Sequence, residues 1–285
     1  MARRLRFEIP GGLYHITSRG NERRAIFRDD RDRQRLLAVM SATVDEFGWQ
    51  VHAYCLMPNH YHLLVETPQP NISRGMMKVN GIYAQAFNIR HKRAGHVFQG
   101  RFHSVFVDKD DYLLRLSRYI VLNPVRAKLV ALPEQWAWSS YRPTAGTGPS
   151  PRFLVCDQIL GYFGKTQAHA QKAYISFVNA NLAQDSPWLE SRGETILGSD
   201  DFLKQVRTKM TEEDALEIDR IQARRSRPSL KSLFPDGYSR PLNLETAKRA
   251  HEAQVRHGYT LTEIAGELGI HISTLSKAMR MRLRR

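Results

Sequence analysis

The stretch Met57-Pro58-Asn59-His60-Tyr61-His62-Leu63-Leu64-Val65 constrains the fold more than any other. Pro58-Asn59 reads as a turn, and the aromatic and β-branched residues from Tyr61 to Thr67 read as the strand that leaves it. Side chains alternate faces along a strand, so His60 and His62 share one face. That is a metal-ligand geometry, placed at the rim of a sheet where a strand begins.

The flanking segments predict that sheet. Leu13 to Ser18 alternates between glycine breaks and predicts a first strand. Asp30 to Phe47 carries Leu36, Leu37, Met40, Val44 and Phe47 at helical spacing, with Gly48 as the stop. Gln50 to Leu56 is a second strand and Tyr61 to Thr67 a third. Ile72 to His91 is helical through Met76, Val79, Tyr83 and Phe87, and Arg101 to Val107 is a fourth strand. The order is the ferredoxin-like split arrangement of an α+β fold, one antiparallel sheet with helices on one face and the other face open to a ligand.

Asp108 and Asp110 can cap a further helix expected to stop before Pro124. Tyr119 and Asn123 lie four apart on it and project from one face. A phenol can serve as a nucleophile toward phosphorus; equally, Tyr119 can be a packing residue and Asn123 a helix-end cap.

The net charge of +15 points to a polyanionic partner. It divides as +10 over residues 1–143, −3 over 144–220 and +8 over 221–285. Cys55 and Cys156 lack metal or redox spacing and read as buried free thiols, which excludes a disulfide scaffold. No stretch approaches the ~20 apolar residues of a membrane helix, and no secretory signal is present. A soluble cytoplasmic protein, associated with the nucleoid, is expected.

PNHYH at residues 58–62, RYIVLNPVRAKLV at 118–130 and VFQGRF at 97–102 together resemble the single-tyrosine HUH transposases of the IS200-like family, in particular the REP-associated tyrosine transposases of bacteria. The resemblance covers roughly residues 5 to 142. It implies that His60, His62 and Asn123 hold Mg²⁺ or Mn²⁺, and that Tyr119 is the nucleophile in cleavage and transfer of single-stranded DNA. Tyr112, two turns before Asn123 instead of one, is the competing nucleophile. The family carries a bulky hydrophobic residue where Tyr61 stands, and many relatives carry Gln in place of Asn123. The N-terminal segment of the family helps read sequence beside a DNA hairpin, which suggests guide contacts from Arg3, Arg4 and Arg6. Arg19 and Arg101 are further DNA-binding candidates, with Tyr14, Phe27, Phe98 and Phe102 as stacking platforms or core residues. Monomer and homodimer both occur among such proteins.

Residues 142–151, rich in Pro, Gly, Thr and Ser, have the composition of a linker or long loop, and 152–220 read as helical without a catalytic constellation. Glu212-Glu213-Asp214 reads as a solvated helix start, and Arg224 to Pro228 as a basic linker. Leu261 to Ile270 followed by Ser273 to Lys277 has helix-turn-helix spacing, with Ala265 at the helix contact, Gly269 in the turn and Thr262 as a cap. Ser273, Thr274, Ser276, Lys277 and Arg280 would face the major groove of duplex DNA. The expected divisions are thus 1–142 catalytic, 143–220 linker and accessory helices, and 221–285 an all-α basic region. Two other classes fit these residues: a sequence-specific DNA-binding regulator with a retained core, and a metal-dependent nuclease using water.

Overall fold

The computed structural model describes residues 7–182, 195–208, 218, 227–235 and 242–282, with side chains in the last stretch up to Met279. It divides into two compact units, Met1–Gln205 and Val206–Arg285.

The first unit is a mixed α/β structure. Its strands are β1 (Gly12–Arg19), β2 (Gln50–Met57), β3 (His60–Thr67), β4 (His103–Val107) and β5 (Ile196–Leu197), in the order β2-β3-β1-β4-β5. The first four pair antiparallel and β5 runs parallel to β4. The fifth strand corrects the reading of residues 152–220 as helical throughout; two residues are too few to show an alternation.

One face is covered by α1 (Asp30–Phe47) and α2 (Ile72–Arg90), which pack on each other. Asp29 caps α1 by accepting from the Asp32 amide, and Gly48 ends it in the left-handed conformation at φ 68°, which glycine adopts without strain. Tyr61 points to this side: its hydroxyl donates to Asn80 Oδ1 at 2.5 Å, and Asn80 Nδ2 donates to Ser18 Oγ at 2.9 Å.

The opposite face is not left open, contrary to expectation. It is packed by α3 (Lys109–Arg126), whose Leu113, Leu116 and Ile120 join Leu13, Ala53, Cys55, Met57, Leu64, Val105 and Val107 in one buried cluster. The Asp108 side chain caps α3 by accepting from the Asp110 amide. The helix also runs past its expected stop, through Pro124 to Arg126. A proline inside a helix removes one amide donor. Here Asn123 Nδ2 donates to the Ile120 carbonyl at 3.3 Å, the group left without that donor, and to the Tyr119 carbonyl at 2.9 Å.

Behind α3, residues 141–178 pack rather than trail. Tyr141 and Ala145 of α4 (Tyr141–Ala145), Ile159 and Leu160 of α5 (Asp157–Leu160), and Ala170, Tyr174 and Val178 of α6 (Gln167–Asn179) cluster with Val121 and Leu122. The first residues of the expected linker are therefore a buried helix. The edge of β2 is covered as well, since Leu56 N donates to Trp138 O and Ser140 N to Tyr54 O.

The next described helix is α7 (Asp200–Arg207), whose last two residues belong to the second unit. The second unit contains α8 (Leu230–Leu233), α9 (Leu244–Val255), α10 (Leu261–Glu267) and α11 (Ile272–Arg282) around Ala247, Ala250, Ala253, Ile264, Leu268 and Leu275. Thr260, not Thr262, caps α10: its side chain accepts from the Glu263 amide while Glu263 accepts from the Thr260 amide, the reciprocal capping box. Gly269 turns the chain between α10 and α11 at φ 63°, and Ala265 is buried. Arg227, read as part of a basic linker, is instead stacked on Tyr259 at 3.4 Å and paired to Glu263 at 2.7 Å. Arg224, Arg225 and Glu212-Glu213-Asp214 lie outside the described residues.

Leu116 is fully buried between α3 and the sheet. Leu116→Ala should lower the unfolding free energy by about 2–5 kcal/mol through lost burial and the cavity left behind. Urea titration of wild type and variant measures this, and a loss below about 1 kcal/mol would mean that this packing does not hold the helix.

Candidate active site

The register of the sheet assembles the site. Arg19 lies across from His60, and Thr17 across from His62, so Thr17, Arg19 and the two histidines share the face that α3 covers. On the other side, Met57 and Cys55 flank His60 and His62. His15, two residues before Thr17, completes the group: its Nε2 is 2.9 Å from His62 Nδ1, and the two rings stack at 5.1 Å and 9°. Thr17 Oγ1 lies 3.2 Å from the same Nδ1.

The helix delivers Tyr119 to this surface. Its ring meets His62 edge-on at 6.0 Å and His15 at 6.1 Å. Arg126 lies over the Tyr119 ring at 4.8 Å and donates from Nη1 to the Tyr119 carbonyl at 3.0 Å. A guanidinium over a phenol face is attracted by the ring quadrupole, so this contact steadies the ring. The competing Tyr112 packs on the cluster under α3 and carries Arg115 over its ring at 5.0 Å.

The donor atoms suit a divalent cation. Among the described residues no three of His, Cys, Asp and Glu group as a metal site, but an amide-containing set has the right chemistry. His60 Nδ1 is engaged by Asn59 Oδ1 at 2.7 Å, which leaves Nε2 as the ring's other nitrogen. His62 Nε2 is buried without a hydrogen-bond partner. The amide nitrogen of Asn123 is committed to two backbone carbonyls, so Oδ1 is its metal-competent atom.

Both imidazoles are held neutral, the protonation state that metal ligation would need. Burial brings His60 down to about 4, aided by the Arg19 charge, and pushes His62 well below the ordinary range, aided by His15, His60 and Arg19. Burial likewise holds His15 at about 3, with His103 adding to it.

Of the other expected DNA contacts, Arg19 and Arg101 are exposed, as are Ser273, Thr274 and Lys277 on α11, with Ser276 half-buried. Arg3, Arg4 and Arg6 lie outside the described residues, as does the side chain of Arg280. Tyr14, Phe27, Phe98 and Phe102 are all buried, which decides between the two readings in favour of core residues. His15 and Arg126 were missed. The signal for Arg126 was its spacing, two turns after Tyr119; for His15 only the strand register, which sequence does not display, could supply one.

The buried histidines make the metal-free protein acid-sensitive. On unfolding, each returns to its ordinary value near 6.5, so below that pH the unfolded chain binds protons that the folded site refuses. Their stabilising contribution is therefore full above pH 6.5, declines as pH falls, and is gone by about pH 4 for His60 and about 3 for His15. The unfolding free energy from urea titration should drop between pH 6.5 and 4, and drop less steeply in the His60→Ala/His62→Ala double variant, by at most about 1.4 kcal/mol per pH unit for each histidine removed. Equal slopes would contradict the burial of these rings.

Residues 10–123 match the family model described as "Transposase IS200 like". The chain is 24% identical over 143 residues to a curated Haemophilus influenzae protein named "Putative REP-associated tyrosine transposase", a match that covers 46% of this chain and 80% of that one. It is also similar to a solved structure of a REP-associated tyrosine transposase bound to a REP hairpin, at 19% identity and a TM-score of 0.45, covering 54% of this chain and 92% of that one. The matched segment contains His60, His62, Tyr119 and Asn123, and no helix among the described residues is long and apolar enough to cross a membrane. The similarity is thus centred on residues 10–123, two fifths of the chain, which match the IS200-like transposase model, and the relatives found are tyrosine transposases.

Proposed function

We propose that this chain is a metal-dependent endonuclease and strand transferase for single-stranded DNA, acting beside hairpins through a 5′-phosphotyrosine on Tyr119. The observation that carries the reading is the edge contact of Tyr119 with His62, at 6.0 Å, on a face where His62 Nε2 is buried without a partner. A pure DNA-binding regulator has no use for a phenol held against an imidazole whose Nε2 is left uncommitted.

His60, His62 and Asn123 would hold Mg²⁺ or Mn²⁺, with the two imidazoles favouring manganese. Bound there, the cation would supply Lewis-acid polarisation of the phosphodiester. Tyr119 Oη attacks phosphorus as the bond from phosphorus to the 3′-oxygen breaks; the phenolic proton passes to solvent, and the 3′-oxygen leaves as a hydroxyl. One phosphoester replaces another, so a second 3′-hydroxyl can attack the phosphotyrosine and join strands without ATP. Arg126 keeps the phenol ring in place through its stack and its bond to the Tyr119 carbonyl. Arg19, exposed across from His60, and Arg101 offer positive charge to the DNA backbone.

The strand order β2-β3-β1-β4 supports the ferredoxin-like reading of the sheet. Functionally we divide the chain into a catalytic part at 1–142, an accessory part at 143–220 and a duplex-binding part at 221–285. In the last, α10 and α11 act as a helix-turn-helix that presents Ser273, Thr274, Ser276, Lys277 and Arg280 to a major groove. Arg3, Arg4 and Arg6 are assigned to guide contacts beside the hairpin on the resemblance alone. The protein works in the cytoplasm at the nucleoid, as a monomer or homodimer.

The test is incubation with labelled single-stranded hairpin DNA and Mn²⁺, followed by denaturing electrophoresis. A metal-dependent protein–DNA adduct should form, fall on the order of 10³-fold or more in Tyr119→Phe, and persist in Tyr112→Phe. Cleavage without an adduct would move the function to a water-using nuclease; tight binding without cleavage would move it to a regulator.

A further inference from the structure

His15 takes no part in the chemistry above, yet it is the most enclosed polar contact of the site. It is 3% exposed, stacks parallel to His62, and meets the edge of Tyr119. Its Nε2 lies 2.9 Å from His62 Nδ1, so one of these nitrogens carries a proton and the other accepts it. Which one decides what His62 can do. With the proton on His62 Nδ1, the ring presents a lone pair at Nε2. With the proton on His15 Nε2, His62 Nδ1 becomes the acceptor and Nε2 carries the ring's N–H, so it has no lone pair for a cation.

We infer that His15 is a positioning residue that accepts a hydrogen bond from His62 Nδ1 and thereby fixes the tautomer and ring orientation in which His62 Nε2 binds a divalent cation. The inference rests on the metal-dependent reading above. Metal-binding histidines ordinarily donate their second nitrogen to a carboxylate, a carbonyl or water. A neutral imidazole in that position leaves the cation's charge undiminished, which suits a site that must hold an anionic phosphodiester. Thr17 Oγ1, 3.2 Å from the same nitrogen, is a longer second acceptor and not a replacement.

Long-range ¹H–¹⁵N correlation on the metal-free, ¹⁵N-histidine-labelled full chain reads the His62 tautomer directly. The expected spectrum has the proton on Nδ1; a proton on Nε2 overturns the inference whether or not any variant folds. Mn²⁺ affinity, followed by loss of the free-ion electron paramagnetic resonance signal, is the second measurement. His15→Leu, which keeps an apolar filling but no acceptor, should bind Mn²⁺ about 10- to 100-fold more weakly. His15→Gln, which restores an acceptor near the same place, should recover most of the loss. Wild-type affinity in His15→Leu overturns the inference and leaves the metal reading standing. Mn²⁺ affinity unchanged in His62→Ala overturns the metal reading itself, and the inference with it.

Discussion

The site depends on the burial of one helix face. Leu113, Leu116 and Ile120 press α3 onto the same sheet face that carries His60 and His62, and this packing sets where Tyr119 can be. Each of those side chains contributes about 1.5–3 kcal/mol by leaving water, so the helix is fixed by apolar contact and not by the polar groups that would act on DNA. The division is sensible physically. Polar ligands can then stay uncommitted, because they are not needed to hold the architecture.

Asn123 shows how structure and chemistry share one residue. Pro124 deprives the Ile120 carbonyl of its amide donor, and Asn123 Nδ2 donates to that carbonyl and to the one before it. This lets the helix continue to Arg126, which then reaches back over Tyr119. The same repair orients the amide and reserves its oxygen.

Much of the first unit was legible because its patterns are long. The α1 spacing runs over eighteen residues and ends at a glycine in the left-handed conformation, so its bounds could be read directly. That Tyr119 and Asn123 share one helix face was legible through the helical period, and that His60 and His62 share one strand face through the strand period. What was not legible depends on contacts between distant segments. His15 meets His62 only because β1 and β3 pair in one register, which pattern alone does not specify. The two-residue β5, the cover that α3 lays on the second face, and the burial of Tyr141 behind it all follow from tertiary packing. The stop expected at Pro124 failed for a local reason, since a side chain supplied the donor that the proline removed.

The central claim is that three side chains from two elements converge on one cation: His60 and His62 from β3 and Asn123 from α3. Crystals soaked in Mn²⁺ and measured at a wavelength with manganese anomalous scattering test it most directly. The account predicts one strong anomalous peak bonded to Nε2 of His60, Nε2 of His62 and Oδ1 of Asn123, beside the Tyr119 hydroxyl. A peak bonded elsewhere, or one that engages the histidines through Nδ1 and leaves α3 uninvolved, would contradict it.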